Sequence, residues 1–282
     1  MAPRYQEYVV NALPLIFFLA LLAITMLAAV YLPAYLLKRA VQQPFPSHYA
    51  KILRKNIPVY SRMPADVQLQ LKRLIKQFLY QKKFIACDGL QMSDEIKVTI
   101  AGRACMLLLN RSTPVYPALK TVLVYPGPFV VPRLETGIGG VVTHAHQSLS
   151  GESWSDGRVI VAWDHVQRRG GEQAEGHDVV LHEFAHQLDS ETGVTNGAPA
   201  LGSKAKYERW SRILSEEFAA LQQALALGED TVIDPYGATN PAEFFAVVTE
   251  TFFEKPWAMA RRHTALFEQF RAYYQVDPRD WS

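Results

Sequence analysis

The sequence predicts an α+β domain with a helix-rich C-terminal half, preceded by a single transmembrane helix. Three observations carry this expectation. An uncharged apolar run occupies the N-terminus, and β-branched and aromatic runs bounded by Gly, Pro or Asp occupy the middle third. Helical periodicity takes over from Gly176 onward. The 282 residues suffice for one sizeable core. At 49% hydrophobic and 20% charged, the chain is neither disordered nor fibrous. Lys and Arg number 29 against 27 Asp and Glu, so bulk charge recruits no nucleic acid. Two cysteines, Cys87 and Cys105, exclude a disulfide-stapled scaffold and a Cys-rich zinc module. Both are expected to behave as small buried hydrophobes.

From Tyr8 to Leu37 no Asp, Glu, Lys, Arg or His occurs. The Pro-free centre, Leu15 to Leu32, spans about 27 Å as a helix at about 1.5 Å per residue. A bilayer core is about 30 Å thick, so flanking turns complete the span, and residues 10–37 are expected to sit in a lipid bilayer. Only a helix satisfies its own backbone there. Tyr31 and Tyr35 suit the interface near one end. A cleaved signal peptide would be shorter and end in a small-x-small site, which Ala28-Ala29-Val30 matches poorly. A buried core helix would carry polar positions at helical spacing, whereas Thr25 stands alone between Leu15 and Val30. Arg4 and Glu7 precede the run, and Lys38, Arg39, Lys51, Arg54 and Lys55 follow it. That asymmetry places the bulk of the chain on the cytoplasmic side of an inner or plasma membrane, single-pass.

Pro44 and Pro46 mark a linker between Gln42 and Ser47, which divides the chain into an anchor region, 1–43, and a domain, 44–282. Val67, Leu71, Leu74, Ile75 and Phe78 give Pro64–Tyr80 a helical period, with Lys72, Arg73 and Lys76 as a solvated face or a contact to anionic lipid. Ser93 caps a second helix running to about Leu109, with Asp94 and Glu95 in its first turn. Thr121–Tyr125 and Arg158–Trp163 read as strands; the second is either an edge that pairs with an extended peptide or an interior strand. Gly137, Gly139 and Gly140 form a loop that opens no helix, so a nucleotide fingerprint is not indicated. Helices follow at about 178–190, 203–227, 240–254 and 260–274.

His182-Glu183-Phe184-Ala185-His186 is an H-E-x-x-H motif. Histidines at i and i+4 lie on one helix face, one turn apart, and both imidazoles reach one metal. Glu183 is placed to serve an attacking water as general base. By composition the pattern arises by chance in roughly 1% of such chains. A catalytic zinc keeps three protein ligands and leaves a position open. After His186 the chain reads Gln187-Leu188-Asp189-Ser190, which excludes the metzincin layout with its third histidine. A glutamate on a later helix is the other solution. Glu243 and Glu250 lie seven apart, on nearly one face of a helix capped by Asn240 and opened by Pro241. Either can be the ligand and the other its support. Asp189, on the ligand face, either orients an imidazole or ends the helix as a surface acid. His144, His146 and His165 show no metal-binding spacing.

The stretch His177 to Asp189, then Ile233-Asp234-Pro235-Tyr236 and Pro241 to Val247, resembles the Mlc titration factor A family of zinc peptidases. Trp163-Asp164-His165-Val166 and Gly151-Glu152-Ser153-Trp154 match its style, and the resemblance covers about residues 45–282. It implies a gluzincin-type metallopeptidase domain, distantly similar in its zinc site to the anthrax lethal factor. It implies one Zn2+ per chain on His182, His186 and Glu243, with Glu183 as base. In lethal-factor-like sites a tyrosine seven residues before the glutamate faces the metal, which here is Tyr236, a donor to the developing oxyanion. Well-known members are soluble, cytoplasmic, aminopeptidase-like, and bind a transcriptional repressor of glucose-uptake genes. The N-terminal anchor departs from that pattern, so a different partner is open. The expected function is therefore a membrane-anchored zinc peptidase acting on a peptide or protein substrate. The alternative is a regulator-binding protein that sequesters a transcription factor, with incidental hydrolysis.

Overall fold

The chain divides into two compact units, Met1–Pro44 and Phe45–Ser282. The computed structural model describes residues 3–136, 142–149, 151–154, 157–167 and 177–282. The first unit is one helix, α1 (Pro3–Gln42), which continues through Pro14 and Pro33 although each removes a backbone donor. An 18-residue window within Leu13–Gln42 has a mean hydropathy of 2.7, and the segment is long and apolar enough to cross a membrane. The Thr25 hydroxyl donates back to the carbonyls of Leu21 and Leu22 at 3.0 and 2.8 Å. That internal bond removes an unpaired polar group from an otherwise apolar surface.

In the second unit, α2 (Ser47–Asn56), α3 (Ala65–Gln81) and β1 (Lys83–Ala86) come first. The apolar positions Val67, Leu71, Ile75 and Phe78 of α3 are buried and Arg73 is exposed, as the helical period requires. Next is α4 (Asp94–Met106), where the Ser93 hydroxyl accepts the Ile96 amide. From Val98 to Met106 every residue of α4 is buried, polar ones included, because the helix is covered on all sides. Gly102 admits the close approach of α2: a Cβ there would stand 2.5 Å from Ile57 Cδ1 and 2.9 Å from Leu53 Cδ2.

The central sheet comprises β1, β2 (Thr121–Tyr125), β5 (Gly151–Trp154) and β6 (Arg158–Ala162), in the order β1-β2-β6-β5. The first three are parallel, with Val122 opposite Phe84 and Val159, while β5 runs antiparallel to β6. Helix α4 provides the crossover that parallel pairing of β1 and β2 demands. Val122, Val124, Val159 and Val161 enter the main core; Ile160 and Ala162 pack on the other face with Leu123 and Tyr125. β6 is thus interior, flanked on both sides, and cannot be the edge that one reading of Arg158–Trp163 allowed. A separate antiparallel pair joins β3 (Phe129–Thr136) and β4 (Val142–Leu149). The loop glycines Gly137, Gly139 and Gly140 lie outside the described residues.

Helices α5 (Trp163–Gln167), α6 (Val179–Asp189), α7 (Lys204–Ala226), α8 (Pro241–Glu254), α9 (Pro256–Arg262) and α10 (Thr264–Tyr274) complete the unit. The helix expected over 260–274 is two helices. His263 adopts φ −133° and breaks the ladder, and its Nδ1 lies 2.7 Å from Glu217 Oε2 of α7. The site-bearing α6 packs between α8 and α4 and against β6. Phe184 faces the core between Phe78 and Tyr116, with ring centroids 5.6 and 4.8 Å away. Burying that ring contributes about 2–3 kcal/mol. It also turns His182 and His186, which flank Phe184 in sequence, towards α8.

Candidate metal centre

Helix α6 begins at a cap. The Asp178 carboxylate accepts the amides of Val180 and Leu181 at 3.0 and 3.2 Å. One turn on, His182 and His186 project together, their Nε2 atoms 3.2 Å apart. Glu243, in the first turn of α8, brings Oε2 to 2.9 Å from His182 Nε2 and 3.4 Å from His186 Nε2. Asn240 fixes that turn by accepting the amides of Ala242 and Glu243, both at 3.0 Å. These three residues form the one group of His, Cys, Asp or Glu suited to a metal ion among the described residues. His165 is not part of it, and the side chains of His144 and His146 lie outside the described residues.

The donor set fits a metal. Two imidazole nitrogens and a carboxylate oxygen are a catalytic-zinc set. Their separations of 2.9 to 3.4 Å match the edge of about 3.3 Å that bonds of about 2.0–2.1 Å give in a tetrahedron. His182 Nδ1 donates to Glu250 Oε1 at 2.7 Å, which leaves Nε2 with its lone pair towards the group. Three electron pairs converging in a half-buried place are stable around a positive charge, either a shared proton or a metal ion. Burial disfavours a charged His182, yet Glu243, Glu250 and Glu183 outweigh it and hold the imidazole pKa well above its ordinary value. Burial likewise pushes the Glu243 carboxyl up, but His182 and His186 overcome this and hold it well below the usual range.

Glu250 takes the supporting role that spacing alone allowed to either glutamate and that the family resemblance, by implying Glu243 as ligand, left to it. It is buried on α8 and clasps His182 from behind, while its other oxygen accepts the Asp178 amide at 2.7 Å. Glu243 meets both histidines; Glu250 supports one of them. Asp189 is neither of the two things expected of it. It is fully buried, and its Oδ2 accepts the Gly197 amide at 2.7 Å. It therefore anchors the loop after α6, while His186 Nδ1 is buried with no hydrogen-bond partner among the described residues. Gly197 sits at φ +80° against the Pro241 carbonyl, in a space that no side chain fits. Replacing it with Ala is expected to cost about 1–3 kcal/mol and lower the melting temperature by about 3–10 °C. An unchanged melting curve by circular dichroism would contradict this close approach.

Glu183 is buried beside His182. Tyr236 is 48% exposed at the rim, its ring centroid 6.0 Å from that of His182. It is held in a short turn by Asp234, which accepts the Tyr236 amide at 2.8 Å and lies 3.0 Å from His177 Nε2. Sequence reasoning missed two supports, Asp178 and the His177–Asp234 contact. The first was legible as an acid just before an apolar helical run, a helix-start signal. The second joins residues far apart in the chain and left no local trace.

Comparison with known proteins agrees with this geometry. Residues 34–275 match the family model described as glucose-regulated metallo-peptidase M90. "Uncharacterized protein slr2042" of Synechocystis sp. is 42% identical over 242 residues, 86% of this chain and 88% of that protein. The proteins named Mlc titration factor A of Enterobacter sp. (strain 638) and Klebsiella pneumoniae (strain 342) are each 34% identical, over 79% of this chain and 84% of theirs. A match of this extent, over a fold whose His182–His186–Glu243 group suits a metal, leads to one conclusion: the chain belongs to the glucose-regulated metallo-peptidase M90 family.

Proposed function

We propose that this protein is a gluzincin-type, aminopeptidase-like zinc peptidase, anchored by residues 10–37 in the inner or plasma membrane. Residues 1–43 form the anchor region and 44–282 the catalytic domain, facing the cytoplasm. The observation that carries the reading is the triangle of His182 Nε2, His186 Nε2 and Glu243 Oε2, with Glu183 buried beside it. These three residues would hold one Zn2+. Bound there, zinc supplies Lewis-acid polarisation of the scissile carbonyl and of water. Glu250 keeps the proton on His182 Nδ1, so Nε2 remains a ligand. The Glu183 carboxylate takes a proton from the attacking water and delivers it to the leaving amine nitrogen. The Tyr236 hydroxyl donates to the oxyanion as it develops on the substrate carbonyl. Bilayer residence rests on the exposed apolar length of α1, and orientation on Lys38, Arg39, Lys51, Arg54 and Lys55 after it.

The test uses the full chain in lipid or detergent on chromogenic aminoacyl and peptide substrates. Turnover is expected, abolished by a chelator and restored by zinc. Turnover indifferent to the chelator would overturn the assignment. A second reading comes from the relatives' name, Mlc titration factor A, which points to a regulator as partner. Chelator-insensitive binding of a transcriptional regulator without any turnover would favour that reading.

A further inference from the structure

Helix α4 contributes a charged side chain to the interior where its other buried positions are mostly apolar. Arg103 is 3% exposed and Asp178, across from it, 0%, with Arg103 Nε 3.4 Å from Asp178 Oδ2. The Arg103 Nη2 group also donates to the Asn56 carbonyl at the end of α2, at 3.3 Å. A buried ion pair of this kind adds little stability over an apolar pair of the same volume. What it adds here is direction. With Oδ2 held by Arg103, the other oxygen of Asp178 stays on the amides of Val180 and Leu181. The backbone of Asp178 is then fixed so that its N–H meets Glu250 Oε2 at 2.7 Å. Glu250, held on that side, presents Oε1 to His182 Nδ1 at 2.7 Å, and His182 presents Nε2 to Glu243 at 2.9 Å.

We propose that Arg103 is a positioning residue for the metal centre, acting through Asp178 and Glu250 on the His182 imidazole. The chain of contacts starts on α4, crosses the start of α6, passes to α8 and returns to one ring atom of a ligand. Each link after Arg103 is a short hydrogen bond between groups that are buried or nearly so, where there is little water to substitute for a lost partner. Loss of the guanidinium frees the Asp178 carboxylate to turn, and the Glu250 clasp on His182 loosens with it. This inference rests on the metal-binding reading of His182, His186 and Glu243.

The test measures zinc affinity of the full chain by competition with a chromogenic chelator, beside the melting curve of the metal-free protein. Arg103→Met is expected to weaken zinc binding by about 10–100-fold. Arg103→Lys, which keeps the charge, recovers part of that loss. Because Arg103→Met strands the Asp178 charge and can unfold the chain, the double variant R103M/D178N carries the test on its own. It removes both charges and keeps a capping side chain, since Asn caps helices as well as Asp. Metal-free R103M/D178N is expected to melt near the wild-type temperature and still bind zinc weakly. Wild-type zinc affinity in the double variant would overturn the proposal. So would a loss in Arg103→Met that the double variant fully repairs, which is the signature of a purely structural pair. His186→Ala separates the two levels. If it binds zinc as well as wild type, the metal-binding reading fails and this inference falls with it. If it loses zinc while R103M/D178N does not, only the Arg103 inference fails.

Discussion

Glu183→Gln is expected to lower peptide hydrolysis by about 10²–10⁴-fold while the metal content matches that of the wild-type protein. The substitution keeps the volume and the hydrogen-bonding reach of a side chain that is 4% exposed, so the helix has no reason to repack. On the proposed mechanism it removes the group that takes a proton from water and returns it to the amine. It leaves His182, His186 and Glu243 untouched, and with them the ligand triangle. The check is turnover of a chromogenic peptide and metal analysis on the same purified sample. Full activity in Glu183→Gln would sink its assignment as the base. Loss of both metal and activity would instead place Glu183 among the structural supports of the site.

The second large effect separates two glutamates on one helix. Glu243→Ala is expected to lose bound metal almost entirely after gel filtration, since one of the three proposed ligands is gone and two histidines remain. Glu250→Ala is expected to keep the ion with affinity lowered by about 10–100-fold, because it touches the site only through His182 Nδ1. The contrast follows from geometry: Glu243 Oε2 is within 2.9 and 3.4 Å of the two ring nitrogens that face each other, whereas Glu250 lies behind one ring. Equal metal content in the two variants would remove the distinction, and a reversed order would exchange their roles. Both residues are at least half-buried, so circular dichroism of each variant must accompany the metal analysis.

The grouping of the candidate site was legible in part because it is local. Histidines at i and i+4 share a helix face whatever surrounds the helix, and an Asn-Pro start places Glu243 in a first turn. The same locality made the apolar run of α1 and the periodic burial of α3 readable. Less legible were features whose signal is spread between distant segments. The start of α4 was readable from its Ser93 cap, but not its burial: from Val98 to Met106 it is covered on all sides, and periodicity is silent about such a stretch. The four residues of β1 are too short to stand out, and only pairing with β2 makes them a strand. At the break, His263 meets Glu217 of α7, forty-six residues away, a contact that leaves no local trace in the sequence.

Residue order by itself determined the elements and the reactive types: the apolar anchor-length helix, the H-E-x-x-H turn and two acids seven apart on one later helix. It determined these because helical geometry ties spacing to direction over one or two turns. Spacing allowed either acid and the family resemblance implied Glu243; the tertiary structure sets Glu243 against both histidines, and it alone decided that β6 is interior, that Asp189 braces a loop, and that Arg103 of α4 reaches the cap of α6. Those outcomes depend on how buried helices pack against one another. A carboxylate or guanidinium without water takes whichever partner the packing brings within about 3 Å, and spacing along the chain does not encode that choice.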